Sequence, residues 1–132
     1  MRYRKHIDAL ITRELRRPEI DRQAVGVELA VIDDYTYVAL PDGAALPEQP
    51  SEIAASVETV TLTAQLKDAL KAASPHVRLI RRRVHAAIRE RYSIEDELQL
   101  LRTAPSPEAA AYNAYVEECL SWGRAERAKL GL

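Results

Sequence analysis

The hydrophobic positions of residues 3–16 recur at three- and four-residue steps, which is the spacing of one face of an α-helix. The apolar members of this face are Tyr3, Ile7, Leu10, Ile11 and Leu15. Pro18 disfavours helical geometry at the residue before it. The pattern therefore predicts an N-terminal helix over residues 3–16 that ends before the proline.

Beyond Pro18 the hydrophobic spacing changes to that of β-strands. Apolar residues alternate from Val25 to Val31, and residues 35–40 (YTYVAL) are rich in types that favour strands. Asp33 and Asp34 between the two runs can turn the chain, so the pattern predicts a hairpin. A helix over residues 23–32 remains the alternative. Residues 57–62 (VETVTL) can supply a third short strand.

Residues 41–51 predict a loop, and four helices are predicted after it. Each helix begins with a capping residue or with a proline that fits the first turn. The predicted helices are 64–73 after Thr63, 75–92 after Ser74, a short one lined by Ile94, Leu98 and Leu101 after Ser93, and 107–122 after Ser106. Gly123 is expected to weaken the last helix, and Gly131 to end the helical region.

This order of elements predicts an α+β fold with an N-terminal helix, a small antiparallel sheet and a C-terminal group of about four helices. The 132 residues are predicted to form a single domain, with a strand-rich part to residue 62 and a helical part over 63–132. No apolar run reaches the ~20 residues of a membrane span. Cys119 is the only cysteine, so a reducing, cytoplasmic compartment is expected.

Charges are segregated along the chain, although the formal net charge is only -1. Residues 23–66 contain seven acidic side chains and no Lys or Arg, whereas residues 75–92 contain six arginines and one glutamate. One stripe of the predicted helix carries Arg78, Arg82, His85 and Arg89. Because like charges repel, an acidic partner is expected. It is either the acidic segment of the same chain or a neighbouring copy, or an acidic protein or nucleic acid.

The familiar catalytic motifs do not occur in the sequence. There is no glycine-rich phosphate loop, HExxH, paired CxxC or GxSxG, so no enzyme activity, cofactor or metal is predicted. Asp33 and Asp34 could form a metal or base site, but turn formation is the favoured interpretation. Cys119 could be a nucleophile beside His85, but packing in a core is favoured. A metal site built from all three histidines is disfavoured by their spacing.

Three segments carry a resemblance to a known class of proteins: ASPHVRLI (73–80), RERYSIEDELQLLRTAPSPE (89–108) and AYNAYVEECLSWGRAERAKLGL (111–132). They resemble the C-terminal part of small accessory or assembly proteins of tailed-phage and prophage tail modules, which are encoded near tail-fibre and tail-tip genes. The resemblance covers residues 57–132. It implies a structural or virion-assembly role through protein contacts, without catalysis, in the bacterial cytoplasm or on the virion.

Two functions follow as hypotheses. The first is a non-enzymatic phage-type assembly protein that binds tail subunits and associates with itself. The second is a nucleic-acid-binding accessory or regulatory protein that uses the arginine-rich helix. The predicted partner-binding residues are the charged stripe Arg78, Arg82, His85 and Arg89 and the aromatic residues Tyr112, Tyr115 and Trp122. Tyr115, Trp122, Arg82 and Arg89 are the expected contacts of a homo-oligomer.

Overall fold

The computed structural model describes residues 1–132, and the chain divides into two compact units. The N-terminal unit comprises Met1–Pro75 with Leu132, and the C-terminal unit comprises His76–Gly131. The strands are β1 (Arg2–Arg4), β2 (His6–Ile7), β3 (Thr12–Arg13), β4 (Glu19–Ile20), β5 (Gln23–Ala24), β6 (Val27–Ile32) and β7 (Tyr35–Ala39). The helices are α1 (Ser51–Ala54), α2 (Ala64–Ala73), α3 (Pro75–Arg91), α4 (Ile94–Thr103) and α5 (Pro107–Lys129). The α+β class is confirmed, and the single domain stays a prediction.

The predicted N-terminal helix is wrong, because residues 1–17 form strands β1, β2 and β3 instead. Tyr3 is only 1% exposed and lies opposite Thr36 in the register of β1 with β7. Of the apolar residues in the predicted stripe, only Tyr3 and Leu15 are buried. The apparent helical period therefore did not mark a buried face. Pairing with a distant strand outweighed the local preference, which β-branched residues such as Ile7 and Ile11 already weaken.

The main sheet has the strand order β1-β7-β6, with all neighbours antiparallel. The predicted hairpin is confirmed, since β6 and β7 pair with Ile32 opposite Tyr35 across the two-aspartate turn. Asp33 takes a φ of 53°, which aspartate tolerates better than most residues. The third strand expected over residues 57–62 does not form, because only Glu58 bridges to Arg2. Strand β1 takes its place in the sheet.

A buried cluster joins this sheet to the short helix α1. It consists of Tyr3, Leu15, Val38 and Ile53, and the partly buried residues packed around it are Met1, Leu40, Leu46 and Val57. Ile53 is fully buried although it lies in a helix of one turn, which sequence spacing did not indicate. Gln49 stabilises the same region through two hydrogen bonds to the backbone of Arg16. Its Nε2 donates to the Arg16 carbonyl oxygen, and its Oε1 accepts from the Arg16 backbone N–H, both at 2.8 Å.

The four later helices begin where their capping residues predicted. Ser93 and Asp96 form a reciprocal capping box at α4, with donor–acceptor distances of 3.0 and 2.9 Å. The Thr63 hydroxyl accepts from the Leu66 amide at α2, and the Ser106 hydroxyl accepts from the Ala109 amide at α5. These contacts satisfy amides that lack partners within the helix. Helix starts were therefore set locally and could be predicted.

The expected weakening of α5 at Gly123 is not observed, and the helix continues to Lys129. Gly123 is buried, and a Cβ atom built on it would lie 2.9 Å from Cγ2 of Val84 on α3. The absence of a side chain lets the two helices approach closely. The cost of glycine in a helix interior, about 1 kcal/mol relative to alanine, is thus offset by packing.

Of the two glycines in the N-terminal unit, Gly26 leaves less room for an added methyl group. Its φ is +114°, and a Cβ there would lie 2.5 Å from Cδ2 of Leu40 and 2.9 Å from the Ala39 carbonyl oxygen. Gly26→Ala is therefore expected to destabilise the unit by about 2 kcal/mol or more, from backbone strain and overpacking together. Denaturant unfolding followed by the amide NMR signals of β7 measures this change.

Gly43→Ala is the matched control for that variant. Gly43 also has a positive φ, +75°, but nothing lies within 4 Å of an added Cβ. The expected loss of stability in Gly43→Ala therefore comes from conformational strain alone and is about 1 kcal/mol. Equal losses in the two variants would show that packing around Gly26 contributes nothing.

Candidate interaction surfaces

Helix α3 separates an apolar face from a basic one, as its sequence predicted. The buried face carries four aliphatic side chains: Val77, Ile80, Val84 and Ile88. The exposed face carries the predicted stripe: Arg78, Arg82, His85 and Arg89. Both sets recur at three- and four-residue steps, so each follows one side of the helix. The side chains that sequence spacing placed together are thus on one surface.

The arginines of α3 differ in whether they have partners within the C-terminal unit. Arg89 pairs with Glu97 of α4, with Nη2 and Oε2 2.8 Å apart. Arg91 lies over the ring of Tyr115, 4.6 Å from its centroid. The other four arginines of α3 are exposed and form no ion pair with an acidic side chain of this unit: Arg78, Arg81, Arg82 and Arg83. We call these four the arginine patch.

Two carboxylates of the acidic segment 23–66 form ion pairs within the N-terminal unit. Glu52 pairs with Arg13, with Oε1 and Nε 3.2 Å apart, and Glu58 pairs with Arg2. Both arginines belong to the N-terminal segment, which sequence analysis had not linked to the acidic residues. Glu52 and Glu58 therefore pair with arginines near the N-terminus and not with those of α3.

Tyr112 and Tyr115 lie in an aromatic cluster with Tyr92. The rings of Tyr92 and Tyr112 meet edge to face, with centroids 5.0 Å apart, and those of Tyr92 and Tyr115 are 5.9 Å apart. The Tyr112 hydroxyl donates to Oε1 of Glu97 at 2.7 Å, and the Tyr115 hydroxyl donates to the Ala87 carbonyl oxygen at 2.8 Å. These contacts tie α5 to α3 and α4.

Trp122 is 41% exposed and borders an open groove of about 250 Å³. The groove lies between α3 and α5 and is lined by Val84, Ala87, Tyr115, Glu118, Cys119 and Trp122. Cys119 is buried and packs with Val84 and Ile88. His85 lies on the exposed stripe of α3, so the core interpretation of this cysteine fits its surroundings. No group of three or more His, Cys, Asp or Glu side chains in residues 1–132 is arranged to hold a metal ion.

Two apolar surfaces are exposed, which sequence analysis did not predict. The first is the α4 apolar face, defined by Ile94, Leu98 and Leu101, which are 57%, 56% and 66% exposed. The second is the turn between β2 and β3, where Leu10 is 94% exposed. Asp8 fixes that turn, because its Oδ1 accepts from the amides of Leu10 and Ile11 at 2.7 and 2.6 Å. The sequence signal for this turn was Asp8 itself, because aspartate side chains accept hydrogen bonds from backbone amides a few residues later.

Comparison of the chain with protein-family models, curated proteins and solved structures finds no match. None of the helices combines the length and the apolar character that crossing a membrane requires. The surfaces described above are therefore the basis for considering function.

Glu97 joins α3, α4 and α5 by accepting from both Arg89 and Tyr112. The hydrogen bond from Arg89 and then that from Tyr112 lower the pKa of its carboxyl below the usual value. Because the folded-state pKa is the lower one, the ionised carboxylate stabilises the unit above the ordinary glutamate pKa of about 4.3. This contribution is lost as the pH falls through the folded-state pKa.

Arg89→Gln is therefore expected to raise the Glu97 pKa more than Tyr112→Phe does, because the guanidinium is the larger cause. NMR titration of the side-chain carboxyl measures both changes. Arg81→Gln is the control, since Arg81 is exposed on the same helix and forms no ion pair with Glu97. A Glu97 pKa that stays the same in all three variants would contradict the assigned network.

Proposed function

We propose that the chain is a non-enzymatic structural or assembly protein of the phage-tail type, which binds other protein subunits and associates with itself. One observation carries this proposal: large apolar side chains are exposed at defined, ordered places. They include Leu10 at the β2–β3 turn, the α4 apolar face and Trp122 beside its groove. The α4 apolar face is continuous along its helix, and continuous exposed apolar surface is typical of protein interaction sites.

The residues around these apolar groups resemble the composition of protein interfaces. Trp, Tyr and Arg are enriched at such sites, and the C-terminal unit presents Trp122 and the arginine patch. The resemblance of residues 57–132 to tail-module proteins supports the same role. The proposed location is the bacterial cytoplasm during assembly, or the virion afterwards.

Self-association is expected to make the mass depend on concentration. Light scattering from about 1 µM to 1 mM should give a weight-average mass near that of one chain, 14.8 kDa, when dilute and a rising mass when concentrated. A mass of one chain throughout this range would contradict self-association. Binding to tail subunits is tested separately, by co-purification with the proteins encoded beside its gene, which the proposal expects to include tail-fibre or tail-tip proteins.

A second candidate function is nucleic-acid binding, and the arginine patch favours it. Four guanidinium groups without ion pairs in their own unit, on neighbouring turns of one helix, suit bidentate contacts with phosphates. The proposal then concerns the sugar–phosphate backbone rather than base sequence, because phosphate contacts carry no sequence information.

Binding through the patch is expected to weaken steeply as salt rises, because displaced counterions drive it. Arg78→Gln combined with Arg82→Gln should reduce the slope of log affinity against log salt by about 2 in a DNA gel shift. Arg124→Gln combined with Lys129→Gln is the control, since those two cations already pair with Glu117 and Glu126. Equal effects of the two double variants, or no retention of DNA, would exclude this function.

A further inference from the structure

The α4 apolar face is the exposed surface whose surroundings specify a partner most closely. Helix α4 contains no buried residue, although four of the ten residues in its sequence IEDELQLLRT are leucine or isoleucine. Ile94, Leu98 and Leu101 follow one another at steps of four and three, so they form one continuous face. The half-buried residues Glu97 and Leu100 lie on a different side of the helix.

The charges beside this face have a definite polarity. Glu95 in the first turn and Arg102 in the last turn are both exposed, and neither forms an ion pair within the C-terminal unit. They are seven residues apart, so they differ by only about 20° around the helix axis and share one edge of the apolar face. Glu97 is already engaged by Arg89 and Tyr112.

We propose that the α4 apolar face binds the same face of a second copy of this chain, with the two helices antiparallel about a two-fold axis near Leu98. In this arrangement Glu95 of each copy approaches Arg102 of the other, so one edge supplies two identical ion pairs. In a parallel two-fold pair, this edge of one copy would lie on the opposite side of the contact from the same edge of the other copy, so neither ion pair could form. Antiparallel packing also places the negative end of each helix dipole near the positive end of its neighbour.

The charges beside the α4 apolar face indicate that its partner is a second copy of the chain. A face with acid at one end and base at the other is complementary to itself when reversed, which is the requirement of a two-fold interface. Three aliphatic side chains per copy bury less than the roughly 800 Å² per partner of a stable complex. The dimer is therefore weak, with a dissociation constant on the order of 100 µM.

This inference rests on the proposed self-association and names its surface, so the test separates the two. Sedimentation equilibrium up to about 1 mM is run on the wild type and on three charge variants. Glu95→Arg alone and Arg102→Glu alone each place like charges opposite each other, and dimerisation should weaken about tenfold. The double variant E95R/R102E restores complementarity and should dimerise as the wild type does. An equimolar mixture of the two single variants should do the same, through heterodimers.

Leu98→Asp should abolish dimerisation in this range, because it places a carboxylate at the centre of the contact. Leu62→Asp is the matched control, being the same change at an exposed leucine of the N-terminal unit that belongs to none of the proposed surfaces, and it should leave dimerisation unchanged. Circular dichroism verifies that each variant keeps its helices. If the wild type associates but the charge variants and Leu98→Asp associate equally well, the α4 contact is wrong while self-association stands. A wild type that stays monomeric overturns both.

Discussion

The pairing of β1 with β7 is the constraint on which the N-terminal unit depends. It places Tyr3 in the buried cluster, and it brings the Met1 nitrogen within 3.0 Å of the Val38 carbonyl oxygen. On its other side β1 exchanges backbone hydrogen bonds with Glu58, so the strand is held from both edges. Once β1 is fixed, the following residues leave the sheet as the β2–β3 and β4–β5 hairpins. The apolar turn at Leu10 is exposed as a consequence.

The C-terminal unit depends on a comparable close approach, between α3 and α5 at Gly123. Val84 occupies the space that a side chain at this position would fill, and the tyrosine cluster secures the same helices nearer the start of α5. Tyr112 and Tyr115 have their hydroxyls satisfied within the unit. Arginines of α3, Trp122 and the outer side of α4 are the exposed parts of the same unit from which the proposed functions are argued.

Some charged side chains form ion pairs within the fold, whereas others have no such partner. Glu52 and Glu58 neutralise Arg13 and Arg2 beside the sheet, and Glu97 neutralises Arg89 between the helices. Exposed pairs such as these stabilise a fold only weakly, so their main effect is to fix neighbouring segments. The arginine patch has no such role in its own unit. Its charge is therefore available to an acidic partner, as the proposed nucleic-acid binding requires.

The sequence by itself determined the features that depend on near neighbours. Ser93 and Asp96 cap α4 across three residues, the turn at Asp33 closes the β6–β7 hairpin, and the spacing along α3 separates Val84 from Arg82. Only the tertiary structure decided that Tyr3 belongs to a strand and that the apolar face of α4 is exposed. Those outcomes depend on residues more than thirty positions away or on which helix face its neighbours cover. Hydrophobic spacing indicates that a face can be buried, but the distant segment that covers it leaves no local signal in the chain.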